Sequence, residues 1–169
     1  TAEGKELWRY PLGGDVRDWE APCLADVDGD GSLEIIIGNM RGWVSCISGM
    51  GKLLWRFKAD DQKASSPAYI PANPASAGLV IYGTENDHIV AVRSNGELAW
   101  LSRHEGQYGR STPVVGDLDG DGTYEVVSHT SYNNPRSRVL ALDATTGNLV
   151  WEAPINLHGY AGNAIADLD

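Results

Sequence analysis

Two nine-residue stretches place carboxylates at regular spacing: Asp26, Asp28, Asp30 and Glu34 in DVDGDGSLE, and Asp117, Asp119, Asp121 and Glu125 in DLDGDGTYE. A third, ADLD, carries Asp167 and Asp169. Carboxylates at alternate positions of a tight loop repel one another at neutral pH. A hard cation removes that repulsion, and an all-oxygen donor set points to calcium. In the pattern D-x-D-G-D-G-x-x-E, side-chain oxygens come from the first three acids, and the final Glu closes the cage. The carbonyl of Ser32 or Thr123 is expected to add a ligand, with water completing the shell. Gly31 and Gly122 permit the positive-φ turn that folds each loop round an ion. An EF-hand opens in the same way but needs a Glu at its twelfth position and a helix on each side. Ile37 and Ser128 stand there instead, and both loops run into β-rich EIIIG and EVVSH. An EF-hand is excluded.

The acid is local. The three stretches hold ten of the 23 Asp and Glu, leaving 13 acids against 13 Lys and Arg, so the net charge of −10 belongs to the loops. Neither nucleic acid nor an anionic membrane surface suits such a chain, since both need a basic face. The longest apolar run, Gly78 to Gly83, falls far short of the roughly 20 residues of a membrane helix. Thr1 to Lys5 lack a signal-peptide pattern, so a secretion signal is expected to have been removed or to lie outside this chain. Catalytic signatures are missing too: there is no H-x-x-x-H, C-x-x-C, GxSxG or phosphate-cradling Gly-Lys loop. No enzyme is expected from these residues.

The elements that must position the acids form a repeat. GKELWRYP, GKLLWRF, GELAWLS and GNLVWEAP each carry a Gly followed by a Trp, and their tryptophans (Trp8, Trp55, Trp100 and Trp151) lie 47, 45 and 51 residues apart. WVSCISGMG, IVAVRSNG and VLALDATTG precede three of them; EIIIG, LVIYG and EVVSH come before those. Earlier still stand APCLAD, SPAYIP, TPVVGD and NAIADLD. Short runs of Val, Ile, Leu and aromatics bounded by Gly, Asn, Asp and Pro are strand signals. Each unit therefore reads as four strands, A to D from the inside outward. Four strands at this period describe a β-propeller blade. The fold is expected to be all-β: an outer strand in 1–18, blades at 19–62, 63–108 and 109–160, and the start of another at 161–169. About three and a half blades form an incomplete ring, because closed propellers have four to eight. The four outer tryptophans should wedge between blades, and Asp143 should cap its turn through backbone N–H groups.

ALDATTGNLVW, from Ala141 to Trp151, resembles the repeat of pyrroloquinoline-quinone-type propellers. PCLADVDGDGSLEIIIG and TPVVGDLDGDGTYEVV are similar to FG-GAP repeats, the calcium-binding blades of integrin α-chains and bacterial surface proteins. The FG-GAP resemblance implies that the calcium loop joins strands A and B on one face of the ring. It implies the ligands Asp26, Asp28, Asp30, Ser32 and Glu34, then Asp117, Asp119, Asp121, Thr123 and Glu125, with Asp167 and Asp169 beginning a third set. Between Tyr69 and Leu79 the second blade has IPANPASAG in place of an acidic loop, so no calcium is expected there and Pro71 and Pro74 stiffen the turn. The quinone repeat implies no quinone cofactor.

Cys23 falls on strand A and Cys46 on strand C of one blade, with strand B between them. Their separation of roughly 9 to 10 Å is too long for a disulfide, so free thiols are expected. Loops joining D to A and B to C should gather opposite the calcium loops. They contain Arg17, Trp19, Arg41, Trp43, His88, His104, Tyr108, Arg110, Tyr132, Arg138, His158 and Tyr160. Of these, Arg17, Trp19, Arg41, Arg110, Tyr132 and His158 are the candidate ligand face, since aromatics with arginines suit a glycan or protein partner. The leading expectation is a calcium-stabilised, non-catalytic interaction or assembly module. Calcium of millimolar concentration places it outside the cell, at its surface or in a periplasm. The alternative is the propeller portion of a carbohydrate-active enzyme such as a polysaccharide lyase. Further segments or copies of the chain would complete the ring.

Overall fold

Runs such as EIIIG, LVIYG and IVAVR alternate with Gly- and Asn-rich turns, and they fold into twelve strands with no helix among the described residues. A computed structural model of the chain describes residues 3–15, 20–60, 63–73, 77–104, 111–130, 137–155 and 163–165. The first blade comprises β1 (Cys23–Ala25), β2 (Glu34–Gly38), β3 (Trp43–Ile47) and β4 (Leu53–Lys58). β5 (Ala68–Ile70), β6 (Leu79–Gly83), β7 (His88–Arg93) and β8 (Leu98–Arg103) form the second. The third holds β9 (Val114–Gly116), β10 (Glu125–His129), β11 (Arg138–Asp143) and β12 (Leu149–Pro154). Every blade is an antiparallel meander in chain order. The short strand β5 touches both β1 and β9, so the three-residue strands form the inner rim. All-β blades in an incomplete ring are as the repeat predicts.

The alternation of side chains decides which blade each residue faces. Val80, Tyr82, Val90 and Val92 of the second blade join Ala25, Ile36, Val44 and Cys46 in one buried cluster. Their strand neighbours Leu79, Ile81, Ile89 and Ala91 pack with Val126, Leu140 and Leu142 in the other. The second blade is thus apolar on both faces, which is why all of β6 is buried.

A repeated tryptophan contact locks the first blade to the second and the second to the third, and holds the segment around Trp8 against the first blade. Trp8 Nε1 donates to the Gly49 carbonyl at 2.9 Å, Trp55 to Ser94 at 2.7 Å and Trp100 to Ala144 at 2.9 Å. Each ring also lies over a turn glycine of the following blade: Gly51, Gly96 or Gly147. These glycines have φ of 80°, 88° and 73°, and a Cβ there would come within 2.6 to 2.8 Å of the indole. Only glycine meets both conditions. A register shift between β3 and β4 recurs at the equivalent place in the other two blades, at the start of the turn that carries the glycine. Asp143 caps its turn as expected, its Oδ1 accepting from the N–H groups of Thr145 and Thr146 at 3.0 and 2.7 Å. Cys23 and Cys46 flank Ile36 in one cross-strand row and are free thiols.

Candidate metal-binding site

The two acidic loops have the same internal wiring. Asp26 accepts from Gly29 N at 2.8 Å and Gly31 N at 3.0 Å; Asp117 accepts from Gly120 N and Gly122 N at the same distances. Asp30 Oδ1 accepts from Ser32 N, and Asp121 Oδ1 from Thr123 N, both at 2.7 Å. Glu34 reaches back to Val27 N at 2.9 Å, and Glu125 to Leu118 N at 2.8 Å. Both glutamates start strand B and are buried, at 2% and 6% exposure, while the aspartates stand on the solvent side. Gly29 and Gly120 have φ of 79° and 75°, alongside Gly31 and Gly122 at 88° and 89°. Two left-handed residues per loop, not one, turn the chain so that its carboxylates converge.

The convergence is tight. Asp26, Asp28 and Glu34 each offer an oxygen within 4.8 Å of the others, as do Asp117, Asp119 and Glu125. Each group could hold a metal ion, and three carboxylate oxygens suit a hard cation. Asp30 and Asp121 stand outside these groups, with Oδ1 turned to the loop backbone. Hydrogen bonds from Thr123 Oγ1 and N hold the Asp121 carboxyl below its ordinary range. Behind the first loop, burial and the charges of Glu34 and Asp28 push the Cys46 thiol up to about 12.

On the opposite face, Arg41 is exposed beside Asn39, whose Oδ1 accepts from Arg41 N at 2.9 Å and Trp43 N at 3.1 Å. The Arg56 guanidinium lies 3.9 Å from the centre of the half-buried Trp43 ring. Arg17, Trp19, Arg110, Tyr132 and His158 lie outside the described residues, as do Tyr108, Tyr160, Asp167, Asp169 and Pro74. Three arrangements here were not legible in the sequence. His88 Nδ1 lies 3.0 Å from Asp60 Oδ2, which also accepts from Thr84 Oγ1 at 3.1 Å. His129, at 3% exposure, contacts Asn163 Oδ1 at 2.7 Å and Ser111 Oγ at 3.1 Å through Nδ1. Lys63 and Glu20 form an ion pair of 2.7 Å with both side chains almost fully buried. These contacts join residues 28, 34 and 43 positions apart, which no local pattern reveals.

Elsewhere a cavity of about 420 Å³ opens between the second and third blades on the side of the metal loops, with Arg93 and Tyr124 on its wall. No described helix is long and apolar enough to cross a membrane.

Several known proteins share this architecture. Among solved structures, BamB from Moraxella catarrhalis is 23% identical with a TM-score of 0.53, covering 77% of this chain and 36% of its own. The computationally designed Ika4 protein is 16% identical with a TM-score of 0.62, covering 97% and 88%. Quinohemoprotein alcohol dehydrogenase from Comamonas testosteroni is 18% identical with a TM-score of 0.60, covering 88% and 22%. At such identities these likenesses speak for the propeller fold. Lambda-carrageenases of Pseudoalteromonas sp and Pseudoalteromonas carrageenovora are each 31% identical over 97 residues, 56% of this chain. The matched stretch is 10% of the length of each carrageenase. A family model described as the lambda-carrageenase β-propeller domain matches residues 1–102, spanning the first two blades. The chain belongs to the lambda-carrageenase β-propeller domain family.

Proposed function

We propose that this chain is a calcium-stabilised, non-catalytic propeller module of a carbohydrate-active protein directed at a sulfated galactan of the λ-carrageenan type. The family match over residues 1–102 carries the reading on its glycan side. On the metal side it is carried by two carboxylate groups of matching composition and wiring, which favours the FG-GAP-type use of the loops. Asp26, Asp28 and Glu34 would hold one ion, and Asp117, Asp119 and Glu125 another. Calcium in each loop would neutralise the carboxylates and pin the turn from strand A to strand B, which fixes the pitch of the blade. Calcium at such weakly enclosed, solvent-facing loops implies an extracellular or periplasmic site, where the free ion is abundant. Catalysis would reside elsewhere in the protein, with the propeller holding polymer or orienting the catalytic part.

Co-precipitation with λ-carrageenan and a reducing-end assay on the same samples test the reading. Binding without release of reducing ends supports it. Depolymerisation by this chain alone would establish an enzyme, and absence of binding would leave a protein-directed assembly module, the second reading. That second reading has its own observation: Leu149, Val150 and Trp151 on β12 are 45%, 53% and 41% exposed, an apolar strip open to a partner.

A further inference from the structure

Two departures within the repeat mark the boundary between the second and third blades, where the cavity lies. Tyr69 on β5 carries its hydroxyl to Ser94 Oγ at 3.4 Å and fills the metal-loop end of the boundary between the first two blades. Its counterpart one blade later is Val115, a shorter side chain with no hydroxyl that packs on the apolar cluster of the next boundary. The other departure is at the turn before strand D. Ser48 and Asp143 cap their turns with short side-chain oxygens, accepting from Lys52 N and from Thr145 N and Thr146 N. In the second blade Arg93 takes that place, and Asn95 assumes the capping by accepting from Glu97 N at 3.1 Å. Freed from the turn, Arg93 donates through Nη1 to the Leu98 carbonyl at 2.6 Å and lines the cavity. Arg93 makes no ion pair among the described residues.

The floor is apolar, formed by Ile70, Leu79, Ala99 and Ala144, and Tyr124 stands on the third-blade wall at 42% exposure. About 420 Å³ lies within the range of small-ligand sites. A fork of donors above an apolar floor with an aromatic wall suits a flat-faced polar ring bearing an anionic ester: the guanidinium pairs with the anion, and the tyrosine packs on the ring. We propose that this cavity binds one sulfated sugar unit, with Arg93 on the sulfate and Tyr124 on the sugar face. The choice of sulfate over carboxylate rests on the carrageenan reading above; the need for an anionic group rests on Arg93 alone.

Titrating the isotope-labelled full chain with galactose 6-sulfate, and separately with galactose, tests the site by NMR. Arg93 Nε and the amides of Tyr124 and Thr145 are the reporters. The sulfated sugar is expected to shift all three, and galactose far less. Arg93→Gln should weaken binding about tenfold or more, the scale of a lost charge-assisted contact. Thr145→Trp, at the exposed mouth, should block binding while leaving the melting temperature unchanged. Shifts confined to other residues, or equal affinity in wild type and both variants, overturn the site. If λ-carrageenan still co-precipitates in that case, the glycan reading survives without this cavity. If the wild type fails to bind the polymer but the reporters move with galactose 6-sulfate, the cavity stands and the polymer reading falls.

Discussion

At the scale of single residues, one indole and one glycine do the joining. Trp55 is half-buried, bonded to Ser94 O, and its ring occupies the space that a side chain at Gly96 would need. Trp55→Ala removes that packing and the hydrogen bond together and is expected to cost about 3 to 5 kcal/mol in chemical denaturation. Gly96→Ala should be destabilising as well, through strain at φ of 88° and the clash, although it adds only a methyl group. A second residue-scale expectation concerns pH. Burial holds the His104 pKa below 6.5, and the neutral ring meets Ser102 Oγ at 2.9 Å. Below that pH the unfolded chain binds a proton that the folded one resists, so this contribution is present above pH 6.5 and is lost as pH falls through the folded value. Melts between pH 7 and pH 5 should therefore show a smaller acid loss in His104→Gln. The tryptophan spacing made these joints legible, but their partner turns stay hidden until the chain is folded, because each contact spans about 40 residues.

Elements show what a loop does for its blade. The acidic turns start strand B with a buried glutamate, so one carboxylate belongs to both the core and the metal group. Adding calcium should raise the melting temperature, EDTA should lower it, and magnesium should replace calcium poorly. At a calcium concentration a hundred times the dissociation constant, each site would add about 2.7 kcal/mol. An unchanged melt with EDTA would end the calcium reading. Asp28→Ala and Asp119→Ala should each abolish part of the calcium response, whereas substitutions at Pro71 in the acid-free second blade should leave it intact. The motif announced the order of the carboxylates along each loop; it did not announce that Asp30 and Asp121 turn to the loop backbone, since Asx-type bonding and metal ligation draw on the same side chains.

For the whole molecule, the second blade is covered on both faces, whereas the third ends in exposed Leu149, Val150 and Trp151. Trp151 repeats the position of three tryptophans that each dock on a following turn. The 169-residue chain should therefore associate in a concentration-dependent way, and Trp151→Lys should reduce that association in sedimentation experiments. A strictly monomeric wild type at high concentration would contradict this. The sequence by itself determined the strand repeat, the four-strand blade and the carboxylate order, because these follow from side-chain period, turn chemistry and spacing along one short segment. Only the tertiary structure decided which tryptophan meets which glycine, that His88 pairs with Asp60 and Lys63 with Glu20, and that Arg93 and Tyr124 line one cavity between two blades. Such contacts depend on the angle and distance between neighbouring blades, and those are set by packing between segments that lie far apart in the chain.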